Sequence, residues 1–201
     1  MSLDLGTLTP AERYKLLSAL VLPRPVAWVT TVNRDGVVNA APYSFFNLFG
    51  QDPALIILGL ENRPDGSPKD TTRNIRDTGE FVVNLATPDM VEKMVATAAA
   101  YGPDVSEPEA LGLSLSPSGH VKPPRLTDAA VSIECRKTVS LSFSLEREIL
   151  IGEAVGLAAR DGLIDPVRWH VNWKGDYPVA RLFADKYARL EEIDGFTIPK
   201  L

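Results

Sequence analysis

Val26-Ala27-Trp28-Val29-Thr30-Thr31-Val32, then Asn33-Arg34-Asp35-Gly36, then Val37-Val38-Asn39-Ala40-Ala41-Pro42: a run of β-formers, a turn signal and a second extended arm. This order predicts an antiparallel hairpin. Pro42 lacks an N–H to give a neighbouring strand, so the second arm should lie at a sheet edge or leave the sheet there. Upstream, Thr9-Pro10-Ala11-Glu12 has the capping-box order, and Tyr14, Leu17 and Val21 recur at helical spacing. A helix should therefore run to about Leu20, stopped by Pro23 and Pro25. Downstream, Ala54 to Leu60 reads as a strand buried on both faces and Phe81 to Leu85 as another. Between them a Pro- and Gly-containing loop, Glu61 to Lys69, leads to a short helix that Asp70 can cap, running through Arg76 and closed by Gly79. Thr87-Pro88 opens a further helix with Val91, Met94, Val95 and Ala98 on one stripe, expected to end at Gly102. The proline-rich stretch from Pro103 to Pro124 reads as a long surface excursion with at most a turn of helix. Val131 to Cys135, Leu141 to Leu145 and Ile149 to Ala159 read as the last strands. Hairpin-connected strands with a few inserted helices predict a mainly antiparallel barrel of α+β class.

The 201 residues, 45% of them hydrophobic, suit one domain, and no internal repeat or linker divides them. With 26 acidic against 21 basic residues the formal charge is -5, which gives no basic field for nucleic acid. No apolar run approaches the roughly 20 residues of a membrane helix, and Met1 to Thr9 lacks the pattern of a secretory signal. The lone Cys135 cannot close an intramolecular disulfide and falls on an inward strand face, where a small buried thiol is expected. These features point to the cytoplasm. His120, His170 and Cys135 show no metal-ligand spacing, and no metal is expected. Neither Gly-x-Gly-x-x-Gly nor a Gly-Lys-Ser/Thr loop occurs, so a Rossmann or P-loop grip on a nucleotide is unsupported. No nucleophile elbow is written in the chain.

Four ordered segments resemble the flavin reductase-like family of FMN-binding split barrels, which includes reductase components of two-component monooxygenases such as nitrilotriacetate monooxygenase component B. They are Arg24-Pro25-Val26-Ala27-Trp28-Val29-Thr30-Thr31, Asn39-Ala40-Ala41-Pro42-Tyr43-Ser44-Phe45-Phe46-Asn47, Lys69-Asp70-Thr71-Thr72-Arg73-Asn74-Ile75 and Glu80-Phe81-Val82-Val83-Asn84-Leu85. The likeness continues more weakly through Pro123-Pro124-Arg125, Ile133-Glu134-Cys135 and Ile151-Gly152-Glu153-Ala154-Val155.

The resemblance implies a split β-barrel, FMN as cofactor, NADH or NADPH as electron donor, a homodimer, and a flavin-dependent monooxygenase or other redox partner. For the site it implies Thr30 and Thr31 at a strand end that meets the flavin, although threonines in such a run are also ordinary strand formers. Adjacent threonines point to opposite faces, so one of the two would contact the cofactor. Ala41, Tyr43, Ser44, Phe45, Phe46 and Asn47 would meet the flavin ring, with at least one phenylalanine equally suited to the core. Lys69, Asp70 and Thr71 would cradle the phosphate at a helix N-terminus; a capped surface helix with a solvated lysine is the plainer alternative. Arg181 is a candidate for phosphate or nicotinamide, or for a surface ion pair. Hydride transfer to a flavin needs stacking and orientation with no obligatory protein acid or base, so no catalytic side chain is expected.

One departure stands out. The family often carries Arg-Leu-Gly-Gly and then Tyr, where this chain has Arg181-Leu182-Phe183-Ala184-Asp185-Lys186-Tyr187. Two rival functions remain on the same scaffold: an electron carrier of flavoredoxin type with FMN permanently bound, and a barrel that has lost flavin and serves as a binding module.

Overall fold

The computed structural model describes residues 1–102 and 105–199. Thr9 accepts the Glu12 N–H and Glu12 answers to the Thr9 N–H, and this capping box opens α1 (Pro10–Leu20). Seven strands then build one antiparallel sheet: β1 (Ala27–Val32), β2 (Val38–Tyr43), β3 (Phe46–Gln51), β4 (Ala54–Glu61), β5 (Glu80–Leu85), β6 (Val131–Ser142) and β7 (Arg147–Ala159). Their spatial order is β2-β1-β5-β6-β7-β4-β3. The two strands at the ends of that order are consecutive in the chain, separated only by Ser44 and Phe45. The sheet therefore rolls up and stays open along one seam, the split barrel of α+β class that the sequence predicts. The Gly59 N–H donates to the Phe45 carbonyl at 2.7 Å and so carries the β3–β4 ladder up to the edge of the seam.

The expected hairpin is β1 and β2, in register from Ala27 opposite Tyr43 to Val32 opposite Val38. Its turn is held by Asn33 Oδ1, which accepts from the N–H groups of Asp35 and Val37, and Gly36 takes a φ of 88° that only glycine adopts freely. Alternation along β1 divides the interior in two. Ala27 and Val29 join Leu58, Ile75, Phe81, Val83 and Leu150 inside the barrel, whereas Trp28 faces Met90, Met94, Leu126 and Val179 outside it.

Helix α2 (Asp70–Thr78) packs Ile75 into the barrel core and ends at Gly79, φ 75°. Helices α3 (Val91–Ala96) and α4 (Glu107–Ala110) follow β5.

Three expectations need correction. The helix after Thr87 stops at Ala96, short of Gly102, because the Thr97 hydroxyl turns back to Met94 O (2.7 Å) and accepts the Trp28 indole N–H (3.0 Å). The segments Val131–Cys135 and Leu141–Leu145 are not two strands. β6 runs unbroken to Ser142, and a bulge leaves Thr138 without an opposite residue, which slips the alternation and splits the sequence pattern. Strand β4 is fully buried on one face only, at Ile56, Leu58 and Leu60, while Leu55 and Ile57 are half covered. The start of the proline-rich excursion, Pro103 and Asp104, lies outside the described residues. From Val105 onward it holds a single helical turn, α4, as expected, and a short ladder of Leu115–Ser116 with Arg125–Leu126.

Candidate functional site

The seam opens into a cleft of about 490 Å³, inside the range of small-molecule sites. One wall is the edge strand β2, through Asn39, Ala41, Pro42 and Tyr43, continued by Ser44 and Phe45. Opposite lie Gly59 and Glu61 of β4 and the start of α2, Lys69 to Thr71. The residues that leave α3, Thr97 to Tyr101, close a third side together with Glu107 of α4.

At α2 the N-cap is Lys69 and not the expected Asp70, which is already the first helical residue; the Lys69 side chain makes no capping bond, so the first-turn N–H groups stay free for an anion or solvent. In that turn the Thr72 hydroxyl is buried without a hydrogen-bond partner, a polar atom the protein itself leaves unsatisfied.

The charge of the cleft opposes that of the chain. Arg24, Arg63, Lys69, Arg147 and Arg181 line it against Glu61, Asp70 and Glu107, so a protein of charge -5 presents here a local excess of cations. Glu61 is shared, 3.2 Å from Lys69 Nζ and 2.8 Å from Arg147. Asp70 pairs with Arg73 at 2.6 Å and Arg63 at 3.7 Å. Arg24 is different. It is buried, and among the described residues its guanidinium meets only neutral oxygens, the carbonyls of Ser18, Val21 and Leu182 and the Ser44 hydroxyl at 3.5 Å.

The apolar side of the cleft is aromatic. Phe45 stands half exposed, with Tyr14 edge-on at 5.9 Å and the Arg24 guanidinium 5.7 Å from its ring centre. Gly59 makes room for it, since a Cβ there would lie 2.8 Å from the Phe45 Cβ. Burial pushes the Tyr43 phenol up to about 12, with a hydrogen bond to Thr71 acting the other way. Burial likewise raises the Glu107 carboxyl from its ordinary value, and Asp70 adds to this, while the N–H groups of Ala40 and Glu107 itself oppose it.

A cationic cradle beside an aromatic slot at the seam of a split barrel is also the order in which the four sequence segments fall. The family model for a flavin reductase like domain matches residues 19–181. The chain belongs to the flavin reductase-like family. An uncharacterized protein of Aquifex aeolicus is 38% identical over 176 residues, 88% of this chain and 89% of that one. Among solved structures, Pseudomonas fluorescens 2-nitrobenzoate 2-nitroreductase NbaA is 35% identical with a TM-score of 0.90, covering 99% of this chain and 96% of its own. Nitrilotriacetate monooxygenase component B of Bacillus cereus is 32% identical with a TM-score of 0.91, covering 98% of each.

On this flavin reductase-like scaffold Ala41, Tyr43, Ser44, Phe45, Lys69, Asp70, Thr71 and Arg181 come together around the cleft. Thr30, Thr31, Phe46 and Asn47 do not line it. Thr30 donates to Pro124 O at 2.6 Å and accepts from Asn84, which also holds Trp28 O, Leu126 N–H and the Ser132 hydroxyl. Thr31 accepts from Asn74 of α2 at 3.0 Å. The two threonines do point to opposite faces, but both faces of β1 are covered there. Phe46 packs on the barrel core, and Asn47, exposed, accepts the N–H of Leu48. The departure at Phe183-Ala184 has a visible effect: Ala184, not Phe183, reaches the cleft, and it takes a left-handed φ of 51°, the conformation that suits the family's glycine. Sequence reading missed Tyr14, Asn39, Glu61, Arg63, Glu107 and Arg147, which come from scattered elements. Glu107 carried one signal, a carboxylate in a long excursion over the surface.

Among the described residues no helix is long and apolar enough to cross a membrane.

Proposed function

We propose that this chain binds FMN in the seam cleft and works as an NAD(P)H-dependent flavin reductase. The observation that carries this reading is the uncapped N-terminus of α2 with Lys69, set in a cationic cleft beside an aromatic slot. When bound, FMN supplies the redox chemistry, taking a hydride from NADH or NADPH and passing the electrons on. Lys69, Thr71 and the first N–H groups of α2 hold the phosphate. Ala41 to Phe45 border the ring, and Phe45 with Tyr14 keeps water off one face. Arg24, a buried cation without a carboxylate partner among the described residues, favours negative charge at its end of the cleft. No side chain is assigned as an acid or base.

The recipient of the electrons is a flavin-dependent monooxygenase or another redox partner. The exposed Leu48 and Phe49 on β3 suit a homodimer with the cleft near the interface. The working unit is the whole chain as one domain, acting in the cytoplasm.

The test is a visible spectrum of protein loaded with FMN and desalted, followed by anaerobic NADH or NADPH. Retained flavin that bleaches within the mixing time supports the reductase. Flavin that stays oxidised with NAD(P)H, yet is reduced by a protein donor, refutes it in favour of an electron carrier, and failure to bind flavin refutes both.

A second reading is favoured by the 35% identity to a 2-nitrobenzoate nitroreductase together with Arg181. Among the described residues that cleft residue bonds only neutral oxygens, Tyr187 Oη and Ala184 O, and suits a small aromatic carboxylate. Anaerobic NAD(P)H consumption driven by 2-nitrobenzoate, with FMN held catalytic, would select it.

A further inference from the structure

Glu107, Asn39 and Thr71 form a chain of hydrogen bonds beneath the cleft in which every link has two possible directions. All three are buried, with 6%, 7% and 2% of their surface exposed. Glu107 Oε2 accepts the Ala40 N–H at 3.0 Å. Its Oε1 lies 3.2 Å from one end of the Asn39 amide, whose other end lies 2.9 Å from Thr71 Oγ1. A carboxylate can only accept. With Glu107 ionised, Asn39 must therefore give its N–H to Oε1 and use its oxygen to accept the Thr71 hydroxyl proton, sharing the Ala40 N–H at 3.2 Å. The Thr71 proton is then spent inside the protein. With Glu107 protonated, the acid O–H donates to the Asn39 oxygen, the Asn39 nitrogen donates to Thr71 Oγ1, and Ala40 donates to Oε2 alone. The Thr71 proton is then released by Asn39 and turns toward the cleft, to the Tyr43 phenol oxygen in the free protein or to a ligand that displaces it.

We propose that Glu107, acting through Asn39, sets the direction of the Thr71 hydroxyl and so couples capture of a phosphate monoester at the start of α2 to uptake of one proton from solvent. This rests on the reading that the phosphate of FMN sits at Thr71. Glu107 is a positioning residue here, since it acts through two intermediates. The surroundings suit the task. Burial and the charge of Asp70, facing from α2, both favour the protonated acid. Tyr43, facing from β2, is neutral well above physiological pH and contributes no charge. An arriving phosphate adds negative charge on the same side and pulls the proton further onto Glu107.

The experiment is calorimetric titration of the full chain with FMN and with riboflavin, in buffers of different ionisation enthalpy and across pH, for the wild type, Glu107→Gln and Thr71→Val. The amide of the first variant donates to Asn39 and accepts from Ala40 as the protonated acid does. The wild type should take up more protons with FMN than Glu107→Gln does, and its FMN Kd should rise by up to about tenfold per pH unit above the Glu107 pKa. Glu107→Gln should bind FMN at pH 6 as the wild type does and lose that extra slope. Titration of the phosphate itself is common to both proteins and cancels. Thr71→Val should lose the extra uptake with Glu107 intact, and riboflavin should show none in any protein. Preference for FMN over riboflavin with equal proton uptake in the wild type and both variants would overturn the coupling alone. Equal affinity for FMN and riboflavin would overturn the phosphate reading and the coupling with it.

Discussion

Lys69→Ala should weaken FMN binding by about 0.5–3 kcal/mol while leaving riboflavin binding unchanged. The range follows from two opposing contributions. A hydrogen bond to a charged group contributes about 1.5–3 kcal/mol, and that is what a phosphate would gain from the ammonium. In the free protein, however, Lys69 Nζ stands 3.2 Å from Glu61, with both side chains nearly half exposed. A pair of that kind contributes roughly 0.2–1 kcal/mol, and the lysine must give it up to turn toward a ligand. The difference corresponds to a loss of about 2-fold to 150-fold in Kd. The same reasoning makes Glu61 a competitor for the lysine. Glu61→Gln should therefore tighten FMN binding by up to about 1 kcal/mol, roughly fivefold. Titration by flavin fluorescence at two ionic strengths provides the measurement, because a phosphate contact is screened by salt and a ring contact is not. Equal losses for FMN and riboflavin on Lys69→Ala would refute the reasoning, since riboflavin has no phosphate to lose.

Three other outcomes are expected. Thr30→Val should destabilise the fold by about 1–3 kcal/mol, because Pro124 O loses its donor and Asn84 an acceptor in a buried network; FMN affinity should not change, and a large change would return Thr30 to the site. Gly59→Ala should lower the affinity for FMN and riboflavin by the same factor, since its Cβ would displace Phe45, and titration with both flavins would show a wrong assignment if only FMN were affected. Glu134 is held low: burial acts to raise its carboxyl, but the N–H groups of Gly119 at 2.9 Å and His120 at 2.6 Å, with the His120 ring, outweigh it. Its stabilising effect should be full above the ordinary glutamate pKa and fade as pH falls through the lowered one, so chemical denaturation should separate Glu134→Gln from the wild type at pH 7 and hardly at pH 3.

Much of the barrel was legible because its signals are local. The Asn33-Arg34-Asp35-Gly36 turn, the Thr9 capping box and Gly79 each act over a few residues, and the structure uses each as read. The misreadings share a cause as well. Thr97 ends α3 by accepting a hydrogen bond from Trp28, 69 residues away, and Thr138 breaks the alternation of β6 only because of the register with β7. The cleft divides the same way. Ala41 to Phe45 and Lys69 to Thr71 are contiguous and could be picked out as segments. Glu61, Glu107 and Arg147 come from separate elements, and no spacing in the sequence brings them together.

The open seam also bears on how the protein behaves at high concentration. An edge strand with free main-chain donors offers a template on which a second chain can stack, the usual first step of strand exchange and fibril growth. On β2 the Ala40 N–H is already taken by the Glu107 carboxyl. The carboxyl that lies under the cleft thus also works as a guard on the backbone, and part of the cost of removing it altogether should be read in light scattering rather than in turnover.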